Sequence, residues 1–205
     1  MTEQDPLQII PLQYTGTDIE VHATAEFEST EDAAEFFIVA RRRLLNVNEW
    51  HKVAGLVSAS FQAIDKDGNK VNRPIEKGDY MRVDIPGPVS KEGDGYDWVT
   101  AEEVKEINTG EIQSIGFRVR PVANPFGDTN NIAHFYDDSS TSNFIVMREG
   151  KRITAGIVDR NTKPNEATSS LTDKVRGTAI GLGAIAIFSR LQWQSLANGI
   201  VNTKK

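Results

Sequence analysis

The residues best suited to chemistry are few, and two of them stand together. His134 and Tyr136 are separated by one residue, so an extended backbone puts both side chains on one face. Such a pair could hydrogen-bond a ligand or serve as acid and base, and it could equally be an ordinary surface pair. Asp97 is the alternative partner for His134 in an acid–base role. Beyond these, the standard reactive motifs are missing. There is no glycine-rich phosphate loop ending in Lys-Ser/Thr, no His-Glu-x-x-His and no Gly-x-Ser-x-Gly.

Metal and thiol chemistry are also disfavoured. The chain has no cysteine, which removes disulfides, thiolate nucleophiles and cysteine-type zinc sites together. Its 3 histidines are too scattered for a metal centre. Glu49 and His51 do not share a helix face. Asp137 and Asp138 are paired acids in a polar run, without calcium-loop spacing around them. Neither a metal nor a cofactor is expected.

The charge pattern restricts partners. A net charge of −6 argues against a sequence-independent grip on nucleic acid, which needs many cations on phosphates. Arg41-Arg42-Arg43 reads as the charged face of a helix. Arg118 and Arg120 share one face of a strand whose other face carries Ile115, Phe117 and Val119. The arginines therefore point to solvent, unless strong curvature turns one into a cavity to meet a carboxylate or phosphate.

The elements that must position these residues are legible from periodicity. Val21, Ala23, Ala25 and Phe27 alternate with polar residues over 19–27, a half-buried strand. Ser29 and Thr30 followed by Glu31 and Asp32 mark a helix start, and apolar residues at helical spacing carry it to Leu45. A second short helix is expected over 48–53, ended by Gly55. Strands follow over 56–64, 78–85, 96–107 and 111–122, with 132–136 joining the sheet. A hairpin is expected from 143–148 and 151–160 about Glu149-Gly150. A long helix from Leu171 to Asn198 closes the chain. It carries two apolar stripes, one through Ser189, Trp193 and Leu196, the other through Ile180, Ala184, Ile187 and Leu191. A helix lying on a sheet needs one. The second is expected to be covered by residues 7–14 or by a second copy of the chain, a homodimer.

Strands in sequence joined by short turns imply an antiparallel sheet. The order strand, two helices, about six strands, long helix resembles the START-like (SRPBCC, or helix-grip) superfamily, which includes Bet v 1-type proteins and polyketide cyclases. The stretch from Arg43 to His51 resembles the helix-to-helix junction common there, and Lys77-Gly78-Asp79 its Gly-Asp before the third strand. The resemblance covers about residues 19–200. It implies an α+β fold in which a curved antiparallel sheet of six or seven strands wraps the C-terminal helix, with an arm at 1–18 and a domain at 19–205. It also implies a cavity between sheet and helix. It carries no shared catalytic motif.

The expected function is binding of a small apolar or amphipathic ligand in that cavity. Trp98, Phe117, Phe135, Tyr136, Leu182, Gly183 and Ile185 are the expected lining. Tyr96, Trp98 and Thr100 form the alternate set of the fourth strand read as facing inward. Gly177, Gly181 and Gly183 let the helix approach the sheet or leave room for a ligand. The alternative is a cyclase, dehydratase or hydrolase working in the same cavity through His134, Tyr136 or Asp97. A third reading is a filled interior that acts only through a partner. The N-terminus lacks the basic and apolar regions of a signal peptide, and the longest uncharged apolar stretch, 177–189, is too short to cross a bilayer. A soluble, cytoplasmic protein is expected.

Overall fold

The computed structural model describes residues 5–55, 59–85, 92–128, 130–165 and 179–204, and in the C-terminal helix the side chains from 187 onward. Strand β1 (Thr17–Glu26) leads into helix α1 (Thr30–Leu45), a 3-10 turn (Val47–Glu49) and the short helix α2 (Trp50–Ala54). Six strands follow: β2 (Ser60–Ile64), β3 (Tyr80–Asp84), β4 (Asp97–Asn108), β5 (Ile112–Pro121), β6 (Thr141–Glu149) and β7 (Arg152–Thr162). Helix α3 (Ala179–Ile200) ends the fold. The first part of the expected long helix, from Leu171, lies outside the described residues.

All seven strands form one antiparallel, curved sheet in the order β1-β7-β6-β5-β4-β3-β2. Every neighbour except the β1–β7 pair is also the neighbour in sequence, as short turns demand. Closing the meander with the first strand beside the last leaves β1 and β2 as the two edges. The β6–β7 turn is at Gly150, whose φ of +56 is the left-handed conformation that glycine adopts without strain.

Helix α1 begins where its cap predicts. The Ser29 hydroxyl accepts the Asp32 N–H at 3.0 Å, and Glu31 and Asp32 sit at the positive end of the helix dipole. Arg43, in its last turn, reaches across to the end of α3. Its Nη1 donates to the carbonyls of Gly199, Ile200 and Asn202 at 3.1, 3.0 and 2.6 Å. These carbonyls lie at and just beyond the C-terminal end of the helix, so one guanidinium caps α3 and ties it to α1. Both helices lie on one face of the sheet, α1 against β5, β6 and β7, and α3 against β1 and β7. Between them Trp50 is wholly buried against Phe61, Phe117 and Phe144, and its indole N–H donates to the carbonyls of Arg43 and Leu44.

The other face of the sheet is covered in two places. Leu7 and Ile9 of the N-terminal arm pack on Ile145. Arg118 donates to the Ile9 carbonyl at 3.1 Å and Asn161 accepts the N–H of Tyr14 at 2.8 Å. The arm thus lies on the outer face of β5 and β6 and does not cover the second stripe of α3, where Ile187 and Leu191 stay exposed. Glycine at 116 makes this docking feasible, because a Cβ there would come within 2.9 Å of Leu7 and 2.8 Å of Ile9. The second covered place is formed by Trp98, Ile64 and Ala133, with Phe126 edge-on to Trp98. Among the described residues no helix is long and apolar enough to cross a membrane.

One expected strand is not a strand. Residues 132–136 form no ladder with the sheet: they meet it through isolated bridges, Ala123 to Ile132 and Tyr136 to Pro164, and through the Trp98 N–H, which donates to the Ala133 carbonyl at 2.7 Å. The Tyr136 N–H turns back to His134 Nδ1 at 2.9 Å, so a side chain takes the donor that a ladder would use.

Candidate functional site

A cavity of about 60 Å³ lies between the sheet and α3. Its apolar wall comes from β2 to β6 and is built by Phe61, Met81, Val83, Val99, Val119 and Phe144. These residues sit at alternate positions of their strands, so the period-two pattern that buries a core also paves the cavity. Helix α3 supplies Phe188, Ser189, Gln192 and Trp193, at the three- and four-residue spacing of one helix face. The segment 134–136 closes one side with His134, Phe135 and Tyr136. The three rings pack on one another, with centroids 4.3 Å apart for His134–Phe135 and 4.4 Å for Phe135–Tyr136.

The polar groups of the cavity centre on Asp159, near the end of β7. It follows Ile153, Ala155 and Ile157 in the inward phase of that strand, and it is 1% exposed. One carboxylate oxygen accepts the Trp193 indole N–H at 2.9 Å. The other, Oδ1, is buried and has no hydrogen-bond partner. Burial pushes the Asp159 pKa up to about 6, while the neighbouring Ser142 hydroxyl, the Trp193 indole and the charge of Arg160 pull the other way. Arg160 itself is committed elsewhere, to Glu20 at 3.0 Å and Asp18 at 3.7 Å.

His134 and Tyr136 are brought together, but their roles are restricted. Burial pushes His134 down to about 3, so the ring is neutral at physiological pH. Its Nδ1 already accepts the Tyr136 N–H, so the ring proton resides on Nε2 and His134 faces its surroundings as a donor. Burial, then the charge of Asp159, raises the Tyr136 pKa, and its phenol hydrogen-bonds Ser189. Of the three titratable groups, only Asp159 carries a negative charge near neutral pH.

Asp97 is buried at the start of β4 and does not line the cavity. Burial pushes its pKa up to about 7, and it accepts the Phe135 N–H. It therefore anchors the 134–136 segment from outside the cavity. Two expected lining residues are also elsewhere. Trp98 points to the opposite face, because Val99 and Ala101 take the inward phase of β4. Phe117 is core, stacked on Phe144 at 5.0 Å, which stands between it and the α3 ring of Trp193. Phe135 and Tyr136 do line the cavity. The side chains of Leu182, Gly183 and Ile185 lie outside the described residues. Arg118 and Arg120 both pair with Glu102 on the outer face, which leaves neither for the cavity. Asp159, Ser142, Ser189 and Gln192 were not expected. Their signal was phase: each is a polar residue at a position where its strand or helix otherwise turns an apolar side chain inward.

A curved antiparallel sheet, with two helices between its first and second strands and a C-terminal helix held against its inner face, decides the architecture. The chain has a helix-grip fold. Solved structures similar to it include a hypothetical protein from Helicobacter pylori (10% identity, TM-score 0.49, covering 89% of this chain and 87% of that one). Norcoclaurine synthase from Thalictrum flavum is similar at 9% identity and a TM-score of 0.35, over 95% of this chain and 100% of the other. A major latex-like protein from Panax ginseng is similar at 11% identity and a TM-score of 0.33, over 85% and 97%. No family model and no curated protein sequence matches the chain. Within the helix-grip fold, the cavity under α3 is the place where buried polar groups converge, and no cluster of metal-ligating side chains occurs among the described residues.

Proposed function

We propose that the protein binds a small amphipathic ligand in the cavity between sheet and α3. The observation that carries this reading is the unpartnered Asp159 Oδ1 in a largely apolar space. Burying a carboxylate oxygen without a donor costs roughly 1–3 kcal/mol or more, and a ligand that supplies the donor recovers that cost. The apolar body of the ligand would rest on Phe61, Val99 and Phe144, and its polar head would meet Asp159. Space limits the size. At about 60 Å³ the cavity has room for roughly four to six waters, or a few heavy atoms. The ligand is therefore small, or seats only its head there.

A second reading has one observation in its favour. His134, Tyr136 and Asp159 line the same cavity, two as donors and one as an acceptor with a pKa of about 6. That is the equipment for proton abstraction by Asp159 with the developing charge held by the donors.

Native mass spectrometry of the purified chain tests the first reading. The expected result is a non-covalent adduct that is released on activation and is absent from Ser142→Leu, whose side chain fills the cavity. A bare chain mass, together with no saturable response to any small probe, refutes it. Recovering the adduct compound unchanged after incubation with fresh protein separates binding from catalysis.

A further inference from the structure

We infer that the ligand of this cavity carries a small protonated amine, which donates to Asp159 Oδ1 within a ring of aromatic faces. This rests on the proposal that the cavity binds a ligand. Every group facing the Asp159 carboxylate contributes to the inference. From α3 come Trp193, which occupies Oδ2, Ser189, which is engaged with Tyr136, and Gln192, whose Oε1 already accepts the Ala59 N–H at 3.1 Å. From the 134–136 segment come the neutral His134 and the phenol of Tyr136. From β6 comes the Ser142 hydroxyl, and from β7 the neighbouring Arg160, which is paired to Glu20 and Asp18. No cation enters the cavity among these described groups, and although the Ser142 hydroxyl approaches the carboxylate it closes no hydrogen bond to Oδ1, which keeps one acceptor open.

The walls favour an ammonium over other donors. Trp193 lies edge-on to Phe144 with centroids 5.2 Å apart and 6.3 Å from Phe61, and Tyr136 and Phe135 line the same cavity. Aromatic faces attract an organic cation, and the attraction grows when water is excluded. A carboxylate beside them supplies the counter-charge, so an alkylammonium is compensated twice. An alcohol gains the hydrogen bond alone, and a carboxylate ligand meets like charge. The volume restricts the head to a primary or small secondary amine on a short chain.

The test uses the full chain labelled with nitrogen-15 and follows the indole N–H signal of Trp193, assigned with Trp193→Phe. Three probes of equal length are titrated at pH 7.5: n-propylamine, n-propanol and propionate. Saturable movement of the Trp193 signal by propylamine, at least tenfold tighter than by propanol, is expected. The affinity should weaken at pH 5, where the carboxyl of Asp159 takes up a proton. In Asp159→Asn the preference for the amine over propanol should vanish. If propanol or propionate binds as well as the amine, the inference fails while the cavity reading stands. If none of the three binds, both fail. The probe comparison on the parent chain decides the matter even where Asp159→Asn does not fold.

Discussion

Replacing Asp159 by asparagine should change the pH dependence of stability in a direction opposite to that of an ordinary carboxylate. The folded pKa of Asp159 is about 6 and its reference value 3.8, so between these values the folded chain holds a proton that the unfolded chain has lost. Stability falls with rising pH wherever the folded state binds more protons. The penalty is nearly absent below pH 3.8, grows through the window and is complete above pH 6. With about 1.36 kcal/mol per pKa unit, the full penalty is about 3 kcal/mol, and about 2 kcal/mol of it develops between pH 4.5 and 7.5. Asparagine keeps the shape and an acceptor for Trp193 but does not ionise. The absolute stability of the variant also contains the cost of a buried amide. The change with pH does not, because His134, Asp97 and the surface carboxylates titrate alike in both proteins and cancel in the difference. Urea unfolding of parent and Asp159→Asn, followed by tryptophan fluorescence at pH 4.5, 5.5, 6.5 and 7.5, should show the variant gaining about 2 kcal/mol on the parent across the series. In a chain of this length that is a relative shift in Tm of about 4–8 °C. A difference constant to within about 0.5 kcal/mol would mean that the carboxylate is hydrated or paired, and the argument for an open Oδ1 would collapse with it.

Two further predictions address the frame that holds the cavity. A Cβ at Gly199 would come within 1.9 Å of the Val53 carbonyl oxygen in α2, and backbone cannot swing aside as a side chain does. Gly199→Ala should therefore cost about 2 kcal/mol or more despite the better helix propensity of alanine, whereas Asn198→Ala, one residue earlier and exposed, should stay within about 0.5 kcal/mol of the parent; equal effects in urea melts would show that α2 and α3 do not meet so closely. In the arm, Leu7→Ala and Ile9→Ala should each cost about 2–3 kcal/mol, but the double variant should cost less than the sum, since an arm can undock and its loss is bounded by the free energy of docking. A double-mutant cycle that comes out additive would place the arm in the same cooperative unit as the main core.

How much of this was legible in the sequence depends on how many sides of each element are covered. Strand β1 and helix α1 each have one buried side, and their alternation and cap residues were sufficient, while the β6–β7 hairpin was marked by its Glu149-Gly150 turn. Strand β4 was misread because both of its faces are buried. Trp98 and Val99 are 6% exposed each, one under Phe126 and the other in the core, and a period-two pattern with two apolar phases does not say which is inside. The same ambiguity arises in β5 and β6, where the arm covers Ile145 while Phe144 faces the helices. The 134–136 segment was read as a strand because its residue types suit one, yet two backbone N–H groups there are taken by His134 Nδ1 and the Asp97 carboxyl. Asp159 is the instructive case. Its strand reads Ile153, Ala155, Ile157, Asp159 along the inward phase, so the anomaly was present in the sequence as one acid in an apolar series. A single acid in that phase usually marks the end of a strand, where the chain returns to water. It becomes a site only because the end of β7 runs beneath α3, where Trp193 satisfies half of the carboxylate and leaves the other half for something else to meet. That contact joins residues 34 positions apart, and it is settled by packing and not by any local pattern.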